Sequence, residues 1–134
     1  PTNSIRKITS SLHQKIPQTF IFTREKSFPN LLKHSVILIT EASSTCLEAL
    51  ACGISVVIVE NPTGITYDPM PENIPTELFR KVSTPEEIKD AVTFFLDHSK
   101  EQLEKNRLLA LEIRNNYFEP ITRKGINRFL NINN

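Results

Sequence analysis

Two continuous apolar runs, at residues 36–39 and 56–59, limit what this chain can fold into. A strand with apolar residues on both faces is typical of a parallel sheet that helices cover on both sides. Residues 46–52, between the runs, have a helical pattern, and Gly53 follows where a helix end favours a left-handed residue. The runs therefore predict a β-α-β unit with short connections, closing in the right-handed sense.

The rest of the chain continues this alternation of helix and strand signals, which indicates an α/β fold with an open, mainly parallel sheet flanked by helices. Further strands are predicted at residues 19–23 and 79–82, the latter at a sheet edge, and helices at residues 4–15, 29–33, 101–118 and 121–130. Residues 60–77 are rich in proline without a clear period, which predicts a constrained surface loop.

One helix has a particularly strong start signal. Thr84, Pro85 and Glu87 supply a threonine cap, a proline in the first turn and a glutamate at the third position. The segment that follows carries an apolar stripe at helical spacing, made of Ile88, Ala91, Val92, Phe95 and Leu96.

Length and composition indicate one ordinary globular domain. The 134 residues, 39% apolar and 23% charged, suffice for one hydrophobic core over residues 1–134. No apolar run approaches the roughly 20 residues that span a bilayer. Cys46 and Cys52 fall in the same predicted helix, too far apart to bridge, and are expected to be reduced, buried thiols. No set of metal ligands is present. Reduced thiols are typical of a cytoplasmic protein. Because the chain begins with Pro1, we expect a fragment of a longer protein.

Charge is unevenly distributed although the net charge is only +1. Residues 1–35 and 100–134 are basic, and residues 36–99 are acidic. A basic end suits phosphates or an anionic membrane surface, so peripheral association with the inner face of the cell membrane is one expectation. Solvated helix faces explain the same charges equally well. No basic stripe carries interleaved aromatic residues, which argues against a nucleic-acid partner.

The chemically informative segment is the Ser/Thr turn (Ser43, Ser44 and Thr45), which follows a predicted strand and opens a helix. Ligands of open α/β sheets bind at the carboxyl ends of the strands, and the first N–H groups of a helix attract anions. Small hydroxylated residues let a phosphate approach the backbone, and Glu48 is positioned to accept hydrogen bonds from ribose hydroxyls. Thr45 and Glu48 also fit a capping box, which requires no ligand.

The order of strand, Ser-Ser-Thr, Leu-Glu-Ala-Leu, glycine and strand across residues 36–60 resembles the C-terminal domain of GT-B glycosyltransferases. It is similar to the branch with lipid-A-disaccharide synthase and bacterial surface-polysaccharide transferases. The resemblance implies a Rossmann-like domain, one half of a GT-B fold, that binds a nucleotide-diphosphate sugar and needs no other cofactor. By position it implies donor binding by Thr40, Ser43, Ser44, Thr45, Glu48 and Gly64, with phosphate at the turn and ribose at Glu48.

Several positions depart from the family pattern. Many retaining members have two glutamates eight positions apart, whereas the position eight before Glu48 is Thr40, so retention of configuration is unsupported. Where relatives place His-Pro after a strand, this chain has Arg24 and Lys26, either phosphate contacts or part of a solvated loop. Gly64 lies where related enzymes have a sugar-contacting loop, and a plain connector is an equal alternative.

The resemblance assigns the glycan or lipid acceptor, and most catalytic residues, to an N-terminal half outside this sequence. Isolated, the domain is then expected to bind nucleotide weakly and to transfer nothing. Alternatives of similar architecture are a sugar-nucleotide epimerase and a glycerophosphotransferase. A non-catalytic α/β binding module, in which the Ser/Thr turn is only a helix cap, is an alternative of another class.

Overall fold

The structure, a computed structural model, describes residues 10, 18–19, 21, 23, 27–61, 63 and 68–130. Strands in these ranges are β1 (Ile37–Thr40), β2 (Ser55–Val59) and β3 (Phe79–Val82). Helices are α1 (Phe28–Leu32), α2 (Thr45–Ala51), α3 (Pro85–Leu96), α4 (Lys100–Tyr117) and α5 (Arg123–Phe129).

The three strands form one parallel sheet in the order β1-β2-β3. In its register Ile37 pairs with Ser55, and Val56 pairs with Phe79. All strands therefore end at the same edge, where the loops that follow them meet. The predicted α/β class, with a Rossmann-like open parallel sheet flanked by helices, is confirmed.

Strand β2 lies in the centre of this sheet and packs through both faces. Val56 and Ile58 contact a large cluster that includes Leu50 of α2 and Ile113 of α4. Val57, which points the other way, packs against a smaller cluster that includes Phe95 of α3. Side chains alternate across a strand, so the continuous apolar run of β2 requires helices on both faces, and both are present.

The first apolar run behaves differently from the prediction. Val36 precedes β1 and is 73% exposed, while Ile39 within β1 is 49% exposed. β1 is an edge strand of the described sheet, and the helix on that side, α3, packs over β2 and β3. Leu38 packs against the larger cluster and Ile37 against the smaller one, so the predicted cover on both faces of β1 is present in part and fails at Val36 and Ile39. In α3 the predicted stripe ends early, because Leu96 lies in the last turn and is 61% exposed.

For the helices from α1 to α5, the predicted boundaries agree with the structure to within two residues. Thr84 caps α3 in an extended conformation, its hydroxyl accepts the Glu87 N–H, and the Glu87 carboxylate accepts the Thr84 N–H. Gly53 has a φ of 80° after α2, the left-handed conformation that glycine adopts without strain. Arg114 of α4 donates two hydrogen bonds to the Ala51 carbonyl, which ties α4 to the end of α2.

The loop before β3 contributes to the core. Met70 and Ile74 are buried in the larger cluster, as is Leu78 just after them, so the described part of residues 60–77 is more than the surface connection that was predicted. Buried apolar anchors of this kind fix the path of a chain segment that has no regular structure.

Two predicted elements lie partly outside the described residues. Of the helix at residues 4–15 only Ser10 is described, and it is helical. In the strand predicted at residues 19–23, Thr19 lies in a turn and Ile21 is exposed without regular structure, so the strand prediction is wrong at these positions. Phe20 and Phe22 are outside the described part.

Candidate functional site

The Ser/Thr turn lies directly beyond the carboxyl end of β1, as the sequence predicts. Thr40 ends that strand and is half-buried beside Ile58 of β2. Helix α2 begins at Thr45 with Ser44 as its N-cap residue. Within the turn Ser43 and Thr45 are half-buried, whereas Ser44 is exposed. The turn thus connects the edge of the sheet to the first turn of a helix.

Hydrogen bonds inside the turn involve Ser43 and Thr45. The Ser43 hydroxyl oxygen accepts the Thr45 hydroxyl at 2.9 Å and the Thr45 N–H at 3.3 Å. The Cys46 N–H bonds to the Ser43 carbonyl at 3.0 Å. The predicted capping box of Thr45 and Glu48 is therefore wrong. Thr45 is already inside the helix, and the N-cap residue has a helical backbone and no side-chain cap.

The same bonds leave a small set of donors free. Within the part of the chain that the structure describes, the backbone N–H groups of Ser43 and Ser44 and the Ser44 hydroxyl have no hydrogen-bond partner. Because the Ser43 oxygen accepts two bonds, its own hydrogen is free to point outward. Two N–H groups and two hydroxyls on consecutive residues form a surface suited to an anion with several oxygens.

A small cleft of about 70 Å³ adjoins the turn at the carboxyl edge of the sheet. Ala42 forms one wall, and Glu60, Asp68 and Lys81 add charged groups from the segments after β2 and within β3. The Lys81 ammonium pairs with the Asp68 carboxylate at 2.5 Å, and this hydrogen bond lowers the pKa of Asp68. The cleft therefore holds one cation, paired with Asp68, and a second carboxylate, Glu60, at the sheet edge that also carries the Ser/Thr turn.

Sequence reasoning did not identify Lys81 or Asp68 as site residues. The only sequence feature that pointed to Lys81 was its position near the end of a predicted strand of the parallel sheet. Strand ends gather at one edge, but the residue pairing that brings Lys81 opposite Ile58 depends on the register.

Glu48 lies one helical turn after Ser44 and Thr45 on α2 but does not line the cleft at Lys81. It is exposed and lines a groove of about 780 Å³ between α1, α2 and the end of α4. The other lining residues of this groove are Pro29, Leu32, Lys33, Ser35, Ala51, Cys52, Ile54, Arg114 and Phe118. The groove reaches the amino ends of the strands, so Glu48 and the cleft at Lys81 are not brought together in the described residues.

The remaining candidates lie outside the described residues: Arg24, Lys26 and Gly64. Thr63, next to Gly64, is exposed, and its N–H and hydroxyl both donate to the Asn61 side-chain oxygen, at 3.1 and 2.9 Å. This local bonding is typical of an Asx turn. It gives the described end of that loop a defined conformation.

The two cysteines are free thiols in contrasting environments. Cys46 is fully buried below the Ser/Thr turn, and burial raises the pKa of its thiol. Cys52 is exposed, so the prediction that both thiols are buried is wrong for Cys52. It occupies the C-cap position of α2, where the chain leaves the helix beside the groove. No cluster of metal-binding side chains occurs in the described ranges.

The described elements define a class: an α/β protein with a Rossmann-like parallel sheet whose carboxyl edge carries the Ser/Thr turn. Comparisons of the chain with protein-family models, with curated proteins and with solved structures find no match. Over the same described ranges, every helix is too short or too polar to cross a bilayer.

Proposed function

We propose that this chain is the nucleotide-sugar-binding domain of a glycosyltransferase that transfers a sugar from a nucleotide-diphosphate donor to a glycan or lipid acceptor. One observation carries the proposal. The unpaired donors of Ser43 and Ser44 lie at the carboxyl edge of a parallel sheet, where ligands of such folds bind. The resemblance of the strand–turn–helix–strand segment to GT-B donor domains supports the same assignment.

The diphosphate is the part of the donor that this edge suits best. Ser43 and Ser44 offer N–H and hydroxyl donors to phosphate oxygens, and Lys81 offers a positive charge from the adjoining cleft. In the free protein Asp68 neutralises Lys81, and an incoming diphosphate competes for the ammonium. Donors that are already in position stabilise the charge that develops on the leaving nucleotide, which is the catalytic contribution expected of this domain.

A substitution at Glu48 tests the ribose contact separately from the diphosphate contact. In the transferase interpretation its carboxylate accepts the ribose hydroxyls, whereas the described residues place it in the groove beside Cys52. The Glu48→Gln substitution keeps the size of this exposed side chain and removes its charge. Loss of nucleotide affinity without loss of stability supports the ribose contact, and unchanged affinity excludes it.

The central test is a titration of the full 134-residue chain with a nucleoside diphosphate, followed by amide NMR. We expect millimolar ligand to shift the amide signals of Ser43 and Ser44 and of residues beside Lys81. Inorganic pyrophosphate is expected to shift the same signals if the diphosphate dominates recognition. Absence of any response at millimolar ligand contradicts the proposal.

Matched variants separate binding from folding. Ser44→Ala removes an unpaired hydroxyl, so affinity is expected to fall about tenfold with stability retained. Lys81→Gln is expected to weaken binding by a similar factor, whereas Lys89→Gln, an exposed lysine on α3, leaves it unchanged. Equal effects of the two lysine variants would show that only the net charge of the chain attracts the ligand.

A non-catalytic α/β module remains the second candidate, because the Ser43 and Thr45 hydroxyls are already bonded to each other. In that case Ser43→Ala lowers stability, while no variant of the turn changes nucleotide binding. An assay with a sugar-nucleotide donor and no acceptor separates an epimerase from a transferase, because only an epimerase converts the sugar nucleotide without an acceptor.

A further inference from the structure

Helix α5 and the residues on either side of it, from Ile121 to Leu130, expose an unusual amount of apolar surface. Ile121 is 94% exposed and Phe129 is 88% exposed, with Ile126 and Leu130 at 45% and 56%. None of these four residues belongs to either hydrophobic cluster of the described chain. Thr122 caps the helix by accepting the Gly125 N–H, so the segment has a defined structure without a packed partner.

The apolar residues of α5 lie on one side of the helix. Ile126, Phe129 and Leu130 follow the i, i+3, i+4 spacing that brings side chains onto one face. Together with Ile121 and Gly125 they line one open groove of about 310 Å³. This surface is called the α5 apolar face below. The same helical periodicity directs Lys124 away from it, whereas Arg123, three residues before Ile126 and seven before Leu130, lies at its border.

The charges around the α5 apolar face are predominantly positive. Residues 119–130 contain three basic residues and one acid, Glu119. Glu119 pairs with Arg128. Arg123 and Lys124 are exposed and form no ion pair within the described chain. The segment therefore combines uncovered apolar side chains with two uncompensated cations.

We propose that the α5 apolar face is a docking surface for a lipid bilayer that carries anionic headgroups. An amphipathic helix with basic residues beside bulky apolar ones lies in the plane of the interface, with its apolar side at the boundary of headgroups and acyl chains. Phe129, Ile126 and Ile121 enter that boundary, and Arg123 and Lys124 contact lipid phosphates. The proposal does not rest on nucleotide binding, because the α5 apolar face shares no residue with the Ser/Thr turn or its cleft.

Charge complementarity selects this partner over a second copy of the chain. In a symmetric dimer the α5 apolar face of one copy meets the same face of the other, so two surfaces of the same net positive charge would be brought together. An anionic membrane surface instead attracts each basic residue beside it, by an amount that falls with salt. The apolar side chains alone do not distinguish these partners, but the flanking cations do.

Flotation of the full chain with lipid vesicles tests the proposal. Vesicles of phosphatidylcholine containing about one third phosphatidylglycerol are expected to carry the protein upward at low salt. Vesicles of phosphatidylcholine alone are expected to carry much less, and high salt reduces binding to the anionic vesicles. Equal binding to both kinds of vesicle, or no binding to either, overturns the proposal.

Substitutions in α5 test which residues bind the vesicles. Phe129→Ser is expected to weaken binding to anionic vesicles about tenfold, whereas Leu108→Ser, at an exposed leucine of α4, leaves it unchanged. The double variant Arg123→Gln/Lys124→Gln is expected to weaken it at least about tenfold, and Lys89→Gln/Lys100→Gln serves as the charge-matched control.

All of these side chains are exposed, so circular dichroism of each variant should match the original chain. Equal losses in the test and control variants overturn the assignment to α5. Sedimentation of the chain without lipid gives an independent check. A dimer that Phe129→Ser dissociates, together with no vesicle binding, overturns the membrane proposal in favour of self-association.

Discussion

Cys46 and Cys52 differ more in environment than their positions on one short helix suggest. Cys46 has no exposed surface, and its thiol points toward the Glu41 carbonyl oxygen at 3.9 Å. Cys52 is exposed at the end of the same helix. The buried thiol is therefore a packing residue below the Ser/Thr turn, and its ionisation is coupled to folding.

The coupling predicts a pH dependence of stability. Burial raises the pKa of the Cys46 thiol above its ordinary value of 9.0, because the charged thiolate is poorly solvated there. The group's contribution to the free energy of unfolding is complete below pH 9.0 and decreases as the pH rises toward the folded-state pKa. Urea denaturation across this range should show the decrease in the original chain and in Cys52→Ala.

The control for this prediction is the Cys46→Ala variant. It removes a buried side chain and should be less stable at neutral pH, but it lacks the titrating thiol. The difference in free energy of unfolding between the original chain and Cys46→Ala should therefore become smaller above pH 9.0. A gap that stays constant would show that other groups, such as lysines and tyrosines, cause the alkaline loss.

At the scale of elements, two similar sequence signals produce different helix starts. Thr84 and Thr45 each precede a glutamate by three residues, yet only Thr84 caps its helix. Thr84 has an extended backbone, with φ −125° and ψ 156°, which directs its hydroxyl back to the helix N–H groups. Ser44, at the corresponding position of α2, has a helical backbone. The backbone conformation of the N-cap residue depends on the path by which the chain leaves β1, and the local sequence does not encode that path.

Element positions followed from the sequence because apolar periodicity and glycine or proline signals act locally. The strands β2 and β3 and the helices from α2 onward were predicted within two residues. The exposure of Ile39, by contrast, depends on which helix packs over which strand. The ion pair of Lys81 and Asp68 joins residues whose proximity depends on the loop path. Such long-range placements require the assembled sheet.

The capping box of α3 leads to a stability prediction. Thr84→Ala removes the acceptor of the Glu87 N–H and is expected to lower the free energy of unfolding by about 1 kcal/mol. Thr93→Ala, an exposed site in the same helix, should change it by less than about 0.5 kcal/mol. Urea denaturation followed by circular dichroism measures both. Comparable losses in the two variants would show that helix propensity, and not the cap, dominates.

On the scale of the whole molecule, stability depends on β2. This strand is the only one in the described sheet with a hydrogen-bonded neighbour on each side, and its two faces contact the two hydrophobic clusters. The Ser/Thr turn and α5 are attached at the margins of this unit. A core centred on one strand leaves the sheet edge and the α5 apolar face free for binding without loss of packing.

This arrangement predicts unequal costs for the same substitution in neighbouring strands. Ile58→Ala removes a side chain that is 1% exposed, and Ile39→Ala removes one that is 49% exposed. The first should cost about 2–5 kcal/mol and the second well under half as much, because a cavity forms only where neighbours surround the side chain. Denaturation in urea measures both variants at neutral pH. Equal costs would mean that β1 is as deeply packed as β2 in solution, and the sheet edge at Ile39 would then not be open.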